Sequence, residues 1–157
     1  MTGQREPREP RDDRQPPLDP EAAAAALNAT FVDNLHALLA MTYDRIEPGS
    51  ASNRMTVRPA LFASNGFLHA ASVVALADSA CGHGCLASLP DGASGFTTVE
   101  LKSNFLGTAT EGVLVCRARL AHGGRTTQVW DAEVAREADG RVIALFRCTQ
   151  LILYPQR

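Results

Sequence analysis

The chain lacks an uninterrupted apolar run of the roughly 18 residues that a membrane-spanning helix requires, so no span is expected. It also lacks a basic-then-apolar leader, and a cytoplasmic location is the expectation. Charge of one sign is missing as well. With 17 acidic against 15 basic residues the net charge is −2, which leaves no basic face for nucleic acid and no strongly acidic surface for a cationic partner. Cysteine is scarce: Cys81, Cys85, Cys116 and Cys148 form no C-x-x-C pair and sit in apolar stretches, which suits reduced core thiols rather than a disulfide frame. No G-x-S-x-G motif supplies a nucleophilic serine, and no G-x-G-x-x-G or P-loop pattern cradles a nucleotide. Function must therefore be sought in single residues that sit where their chemistry is out of place.

What is present is enough chain for one domain with a sizeable core, since 45% of the 157 residues are hydrophobic. Residues 1–19 mix charges with prolines and hold only Met1 and Leu18 as large apolar side chains; they are expected to form a disordered tail ahead of a single domain over 20–157. Pro20, after Asp19, opens an Ala-rich stretch that continues through Phe31, Val32, Leu35, Leu38 and Leu39 at helix-like intervals, predicting one or two short helices before residue 41. Residues 41–60 read as two extended runs that pair about a turn at Glu47-Pro48-Gly49-Ser50.

From His69 to Leu89 the composition becomes that of a buried helix with almost no charge. Four extended segments follow. Val99, Leu101 and Phe105 alternate with polar residues in 97–106, predicting a half-buried strand; Leu114, Cys116, Ala118 and Leu120 oppose Arg117 and Arg119 in the next. Trp130, Ala132 and Val134 oppose Asp131 and Glu133, with Trp130 expected in the core, and Asp139-Gly140 turns the chain into a last strand over 142–154. One apolar helix among antiparallel strands implies an α+β fold in which the sheet wraps around that helix.

Asp78 lies in the middle of the apolar helix, after Val73, Val74, Ala75, Leu76 and Ala77 and before Ala80 and Cys81. A carboxylate there loses hydration, and an unpaired buried charge costs enough that it points to a pocket and to acid–base or nucleophilic work; the alternative is a structural Asp bonded to a backbone or hydroxyl group. His69 opens the same helix nine residues earlier. Nine steps of about 100° place it on the opposite face from Asp78 and about 13 Å away along the axis, so the two can share a site only between chains. A capping role for His69 stands beside a catalytic one. The helix start also offers unsatisfied N–H groups and a positive dipole end to a developing oxyanion, with the N–H of Ala70 or Ala71 as donor.

Gly66-Phe67-Leu68-His69, Val74-Ala75-Leu76-Ala77-Asp78, Thr98 to Leu106, Gly124-Arg125 and Asp139-Gly140-Arg141-Val142 follow one another in the order and spacing of the PaaI-type acyl-CoA thioesterases. Over residues 40–154 the chain resembles this hotdog-fold group, which includes phenylacetate-pathway and 4-hydroxybenzoyl-CoA thioesterases. The resemblance implies a hotdog fold with a sheet wrapped around one long central helix, after a short helical N-terminal segment. It further implies Asp78 as nucleophile or general base, the helix N-terminus of a neighbouring subunit as oxyanion hole, and Asn65 as a residue that orients substrate or water. Two positions depart from the family: His69-Ala70-Ala71 stands for His-Gly-Gly, and Gly82 occupies the position one turn after the carboxylate where many relatives carry a hydroxyl.

Arg125, in the Gly123-Gly124-Arg125-Thr126 turn, is the candidate contact for the phosphate or pantetheine of coenzyme A, with a solvated loop arginine as the alternative. Coenzyme A enters as part of the substrate; no separate cofactor is expected. Nor is a metal, because on a helix His83 points about 160° from Cys81 and Cys85. Gly82 and Gly84 are expected to permit close helix packing. A homo-oligomer with shared sites is expected, as a tetramer. Three functions compete: hydrolysis of an acyl-CoA, acyl-CoA binding without turnover, and hydration or dehydration of the acyl chain.

Overall fold

The computed structural model describes residues 19–156, so the tail expected over 1–19 lies, Asp19 apart, outside the described residues. Asp19 caps α1 (Pro20–Asn28): its side chain accepts from the Ala22 N–H at 3.2 Å, and Pro20, with no N–H to leave unsatisfied, fits the first turn. A short α2 (Leu35–Leu38) follows under an Asn34 cap. Both helices end before residue 41, as the apolar spacing predicts. Asn28 then ties α1 to the next element, accepting from the Tyr43 N–H at 2.8 Å and donating to the Tyr43 carbonyl at 2.9 Å.

The hairpin β1 (Met41–Glu47) and β2 (Ser50–Thr56) turns through Gly49 at φ +83°, a conformation that glycine adopts without strain. With β3 (Gly95–Phe105), β4 (Val113–Gly123), β5 (Thr127–Arg136) and β6 (Val142–Leu153) it forms one antiparallel sheet ordered β1-β2-β4-β5-β6-β3. The long helix α3 (Ala70–Ala87) packs on its inner face. This is the expected α+β architecture. Cross-strand register places Cys116, Val134 and Ala144 on that inner face, while Arg119, Asp131 and Arg147 line up on the outer one, as the alternation in β4 and β5 predicts.

By length and composition α3 could cross a membrane, yet Asp78 and His83 interrupt its apolar run, and Val73, Leu76, Ala77, Ala80 and Cys81, at helical spacing, are covered by the sheet. One expectation needs correction, and it concerns β3. Leu101 and Phe105 pair with Cys148 and Ala144 and so face inward, yet Val99, Leu101 and Phe105 are 56%, 43% and 47% exposed. β3 is an edge strand, its register shifts between Thr98 and Glu100, and α3 meets it before that shift, at Phe96, leaving Val99, Leu101 and Phe105 open.

The helix meets the sheet most tightly at Trp130, which is fully buried. A Cβ placed on Gly84 would lie 2.6 Å from Trp130 Cζ3, so the close packing expected of this glycine is present. The indole N–H donates to Gln128 Oε1 at 2.9 Å, and Gln128 Nε2 donates to the Ser88 carbonyl at 2.7 Å, so the polar atoms of this contact are satisfied. Gly84→Ala would gain about 1 kcal/mol of helix preference but force the ring aside, and overpacking a core costs about 1–3 kcal/mol. A net destabilisation is expected in thermal unfolding; an unchanged or raised Tm would show that the helix can lift away freely.

Candidate active site

Asp78 sits at the middle of α3, where the helix presents no other ionised side chain. It is half-buried, and its Oδ1 has no hydrogen-bond partner among the described residues. Neither the backbone nor a hydroxyl among the described residues bonds that oxygen. Burial raises the carboxyl above its ordinary range, because the ionised form loses hydration that nothing replaces.

His69 is the N-cap of α3. Its backbone is extended, at φ −67° and ψ 132°, and its Nδ1 accepts from the Ala71 N–H at 3.0 Å, so the ring proton resides on Nε2. The Ser72 N–H turns back to the His69 carbonyl at 3.0 Å. Of the two donors considered at the helix start, Ala71 is therefore engaged, whereas the Ala70 N–H meets no acceptor among the described residues. The loop that leads into the cap is fixed from both sides: His69 N–H donates to the Leu61 carbonyl at 2.9 Å, and Ser72 Oγ donates to the same carbonyl at 3.2 Å. Asn65 lies in the exposed part of this loop, and its Oδ1 accepts from the Phe67 N–H at 3.2 Å around Gly66 at φ +82°.

Gly124 and Arg125 lie at the other end of the helix. The Gly124 N–H donates to the Thr127 carbonyl at 2.9 Å, while Gln128, at the start of β5, holds the α3 C-terminus through Ser88. The exposed Arg125 guanidinium lies 5.5 Å from the centre of the Tyr154 ring, and Tyr154 Oη donates to the Arg125 carbonyl at 2.6 Å. One chain thus brings neither the helix start nor Arg125 to Asp78.

Sequence reasoning missed two contacts around the helix. His83 turns away from Cys81 and Cys85 towards β1, where its Nδ1 lies 2.8 Å from Tyr43 Oη and 3.1 Å from the Ser79 carbonyl. His36 from α2 stacks on Phe31, with centroids 4.5 Å apart, and meets His83 edge-on at 5.2 Å. Buried Asn53 donates to the Leu76 carbonyl at 3.0 Å. These bonds brace the helix on both sides of Asp78. The only sequence signal for the first was an aromatic, Tyr43, in the first strand of the hairpin. The second, from Asn53 to the Leu76 carbonyl, joins residues 23 positions apart and left no signal in the sequence.

The site is open in a single chain. Cavities of about 360 and 300 Å³ lie on the outer sheet face, lined by residues such as Lys102, Arg147 and Arg117, and neither includes Asp78. Beside the exposed inner side of β3, by contrast, stands an unpaired strand edge.

Residues 65–143 match the family model of the thioesterase superfamily. The chain belongs to the thioesterase superfamily. Among its relatives, 1,4-dihydroxy-2-naphthoyl-CoA hydrolase of Listeria monocytogenes is 28% identical over 104 residues, or 66% of this chain and 83% of that protein. A crystal structure of a mutant of thioesterase PA1618 from Pseudomonas aeruginosa superposes with a TM-score of 0.77 at 26% identity, covering 83% of this chain and 93% of the other. A thioesterase family protein from Silicibacter pomeroyi reaches 32% identity and a TM-score of 0.73 over 85% and 98%. The fold is therefore the hotdog fold, and the protein is a thioester hydrolase.

For this thioesterase, Asp78 has a thermodynamic signature. A carboxyl whose pKa is raised by folding favours the fold while protonated, and that advantage is lost as pH rises through the raised value. Ionised Asp78 therefore costs stability at neutral pH. Asp78→Asn is expected to melt at the same temperature as the native protein or higher at pH 7, with the difference shrinking as pH falls into the ordinary carboxylate range. A lower Tm at pH 7 would reveal a structural bond to this side chain.

Proposed function

We propose that this thioesterase hydrolyses an acyl- or aryl-CoA thioester with Asp78 as its catalytic carboxylate. The observation that carries the proposal is an unpartnered, desolvated carboxylate in the middle of an otherwise uncharged helix. Its oxygen either attacks the carbonyl carbon, giving an anhydride that water then opens, or takes a proton from water as that water attacks. In both routes the carbon–sulfur bond breaks, the thiolate leaves as coenzyme A and takes up a proton, and one water is consumed.

The carbonyl oxygen becomes an oxyanion in the tetrahedral intermediate and needs donors. The Ala70 N–H at the helix start supplies one, and the His69 cap keeps the first turn in place while occupying Ala71. Since that start lies about 13 Å along the axis from Asp78, the donor comes from a second subunit. Two copies joined along their β3 edges would cover Leu101 and Phe105 and extend the sheet, and two such dimers would make the tetramer. Asn65, whose Nδ2 is not used by its turn, orients substrate or water, and Arg125 with the Gly124 backbone receives the phosphate or pantetheine of coenzyme A. Coenzyme A is thus carried in as substrate, from the cytoplasm, and no further cofactor takes part.

Thiol release from a panel of phenylacetyl, hydroxybenzoyl and straight-chain CoA thioesters tests the assignment. Asp78→Asn should lose about 10²–10⁴-fold in kcat while remaining folded. Because the ionised carboxylate is the working form and burial raises its pKa, the native rate should fall on acidification at a pH above the ordinary carboxylate range. Full activity in Asp78→Asn would sink the mechanism; tight binding without turnover would make the protein an acyl-CoA carrier, and hydration of an enoyl-CoA would make it a hydratase. Independently, Phe105→Glu should shift the protein toward monomer in sedimentation and abolish turnover, because a site split between subunits does not survive their separation. A Phe105→Glu protein that sediments as the native one does would place the interface elsewhere.

A further inference from the structure

Gly82 stands one turn beyond Asp78 on α3, so the two share a helix face, with side-chain positions about 5–6 Å apart. A Cβ built on Gly82 would meet the Phe96 ring, Cζ at 3.1 Å and Cε2 at 3.8 Å. The absent side chain is thus what allows the ring to lie edge-on against the helix. Phe96 belongs to β3 before its register shift and pairs with Ile152 on the inner face; Ile152 is buried, but Phe96 keeps part of its surface open. One further turn along, Leu86 is 47% exposed. His83, the one polar side chain in this stretch after Ser79, is turned aside to Tyr43. From Asp78 towards the helix C-terminus the helix surface beyond Ser79 therefore offers mostly carbon, and Thr98, beside Phe96 on β3, has its hydroxyl proton committed to Gln150 Oε1 at 2.9 Å.

On the reading that Asp78 is the catalytic carboxylate, we infer that Phe96, seated on Gly82, is the wall that receives the acyl part of the thioester and decides which acyl groups fit. A carbonyl held at the Asp78 carboxylate has two arms. The pantetheine arm carries amides, which would be left unpaired against this surface, whereas an acyl arm loses nothing by lying on it. An acyl arm that runs along the helix meets the Phe96 ring within about one helical turn. A flat aryl group can pack against the ring with an offset or edge-on geometry, and a short chain ends before it; a long straight chain is obstructed. The substrate class is accordingly aryl or short acyl thioesters. The position where related enzymes carry a hydroxyl is here occupied by an aromatic from another strand, reached through a glycine.

The test compares kcat/KM for phenylacetyl-CoA and dodecanoyl-CoA in the native protein, Phe96→Ala and Gly82→Ala, with Asp78→Asn alongside. Phe96→Ala should shift the ratio at least tenfold toward dodecanoyl-CoA while leaving the acid limb of the pH profile unmoved, since the carboxylate is untouched. Gly82→Ala, which favours the helix and so retains the fold, should displace the ring and raise KM for phenylacetyl-CoA more than it lowers kcat. A native preference for dodecanoyl-CoA, or equal losses on both substrates in Phe96→Ala, would overturn the inference while leaving Asp78 in its role, provided Asp78→Asn is inactive. Turnover that survives in Asp78→Asn, or no turnover of any thioester by the native protein, would overturn the underlying reading and this inference with it.

Discussion

An 18-residue helix whose only carboxylate is Asp78 cannot remain bare in water, and nearly everything else in the molecule answers to its burial. Strands β4, β5 and β6 present small or sulfur-bearing side chains to the helix, among them Cys116, Ala118, Ala132 and Cys148, all buried. Small residues let the sheet come near; the large Trp130 is accommodated because Gly84 opposes it. The outer face of the same strands carries the charge, with Asp131 paired to Arg147 by two bonds of 2.6 and 2.7 Å. The sheet thereby separates a dry side from a wet one, and Asp78 is a carboxylate held at the margin of the dry side.

Much of this architecture was legible in the chain. Trp130, Ala132 and Val134 against Asp131 and Glu133 announce a two-faced strand at its observed place, and the uncharged run after His69 announces the helix. Legibility failed where the outcome depends on which strand neighbours which. Nothing in Val99, Leu101 and Phe105 reveals that their strand ends up at an edge that α3 covers only at its start, because alternation records a preference for burial and is silent about what provides it. The register shift between Thr98 and Glu100 has the same origin, arising from pairing with β6, some 50 residues away.

The site was legible in the same uneven way. Asp78 is conspicuous because a charge interrupts an apolar pattern. His69 was ambiguous, since a histidine before a helix can cap it or react; the bond from the Ala71 N–H to its Nδ1 is a matter of rotamer, which spacing does not encode. The bracing contacts of His83 with Tyr43, and of Asn53 with the Leu76 carbonyl, join residues 40 and 23 positions apart and became visible only once the hairpin β1–β2 lay beside the helix.

The thiols of the core bear on the chemistry beside them. Cys81 follows Asp78 by three residues, close enough for a reactive thiolate there to capture an acyl group from a thioester by exchange. A hydrogen bond with Cys148, and then burial, push the Cys81 thiol far up, and burial holds Cys85 and Cys116 at about 12, so all three remain protonated and inert at neutral pH. Thioester exchange onto the protein is closed off by the same packing that dries the helix. Sulfur this near Asp78 is harmless because it is inaccessible, and a change that loosened the sheet would open these thiols to reaction.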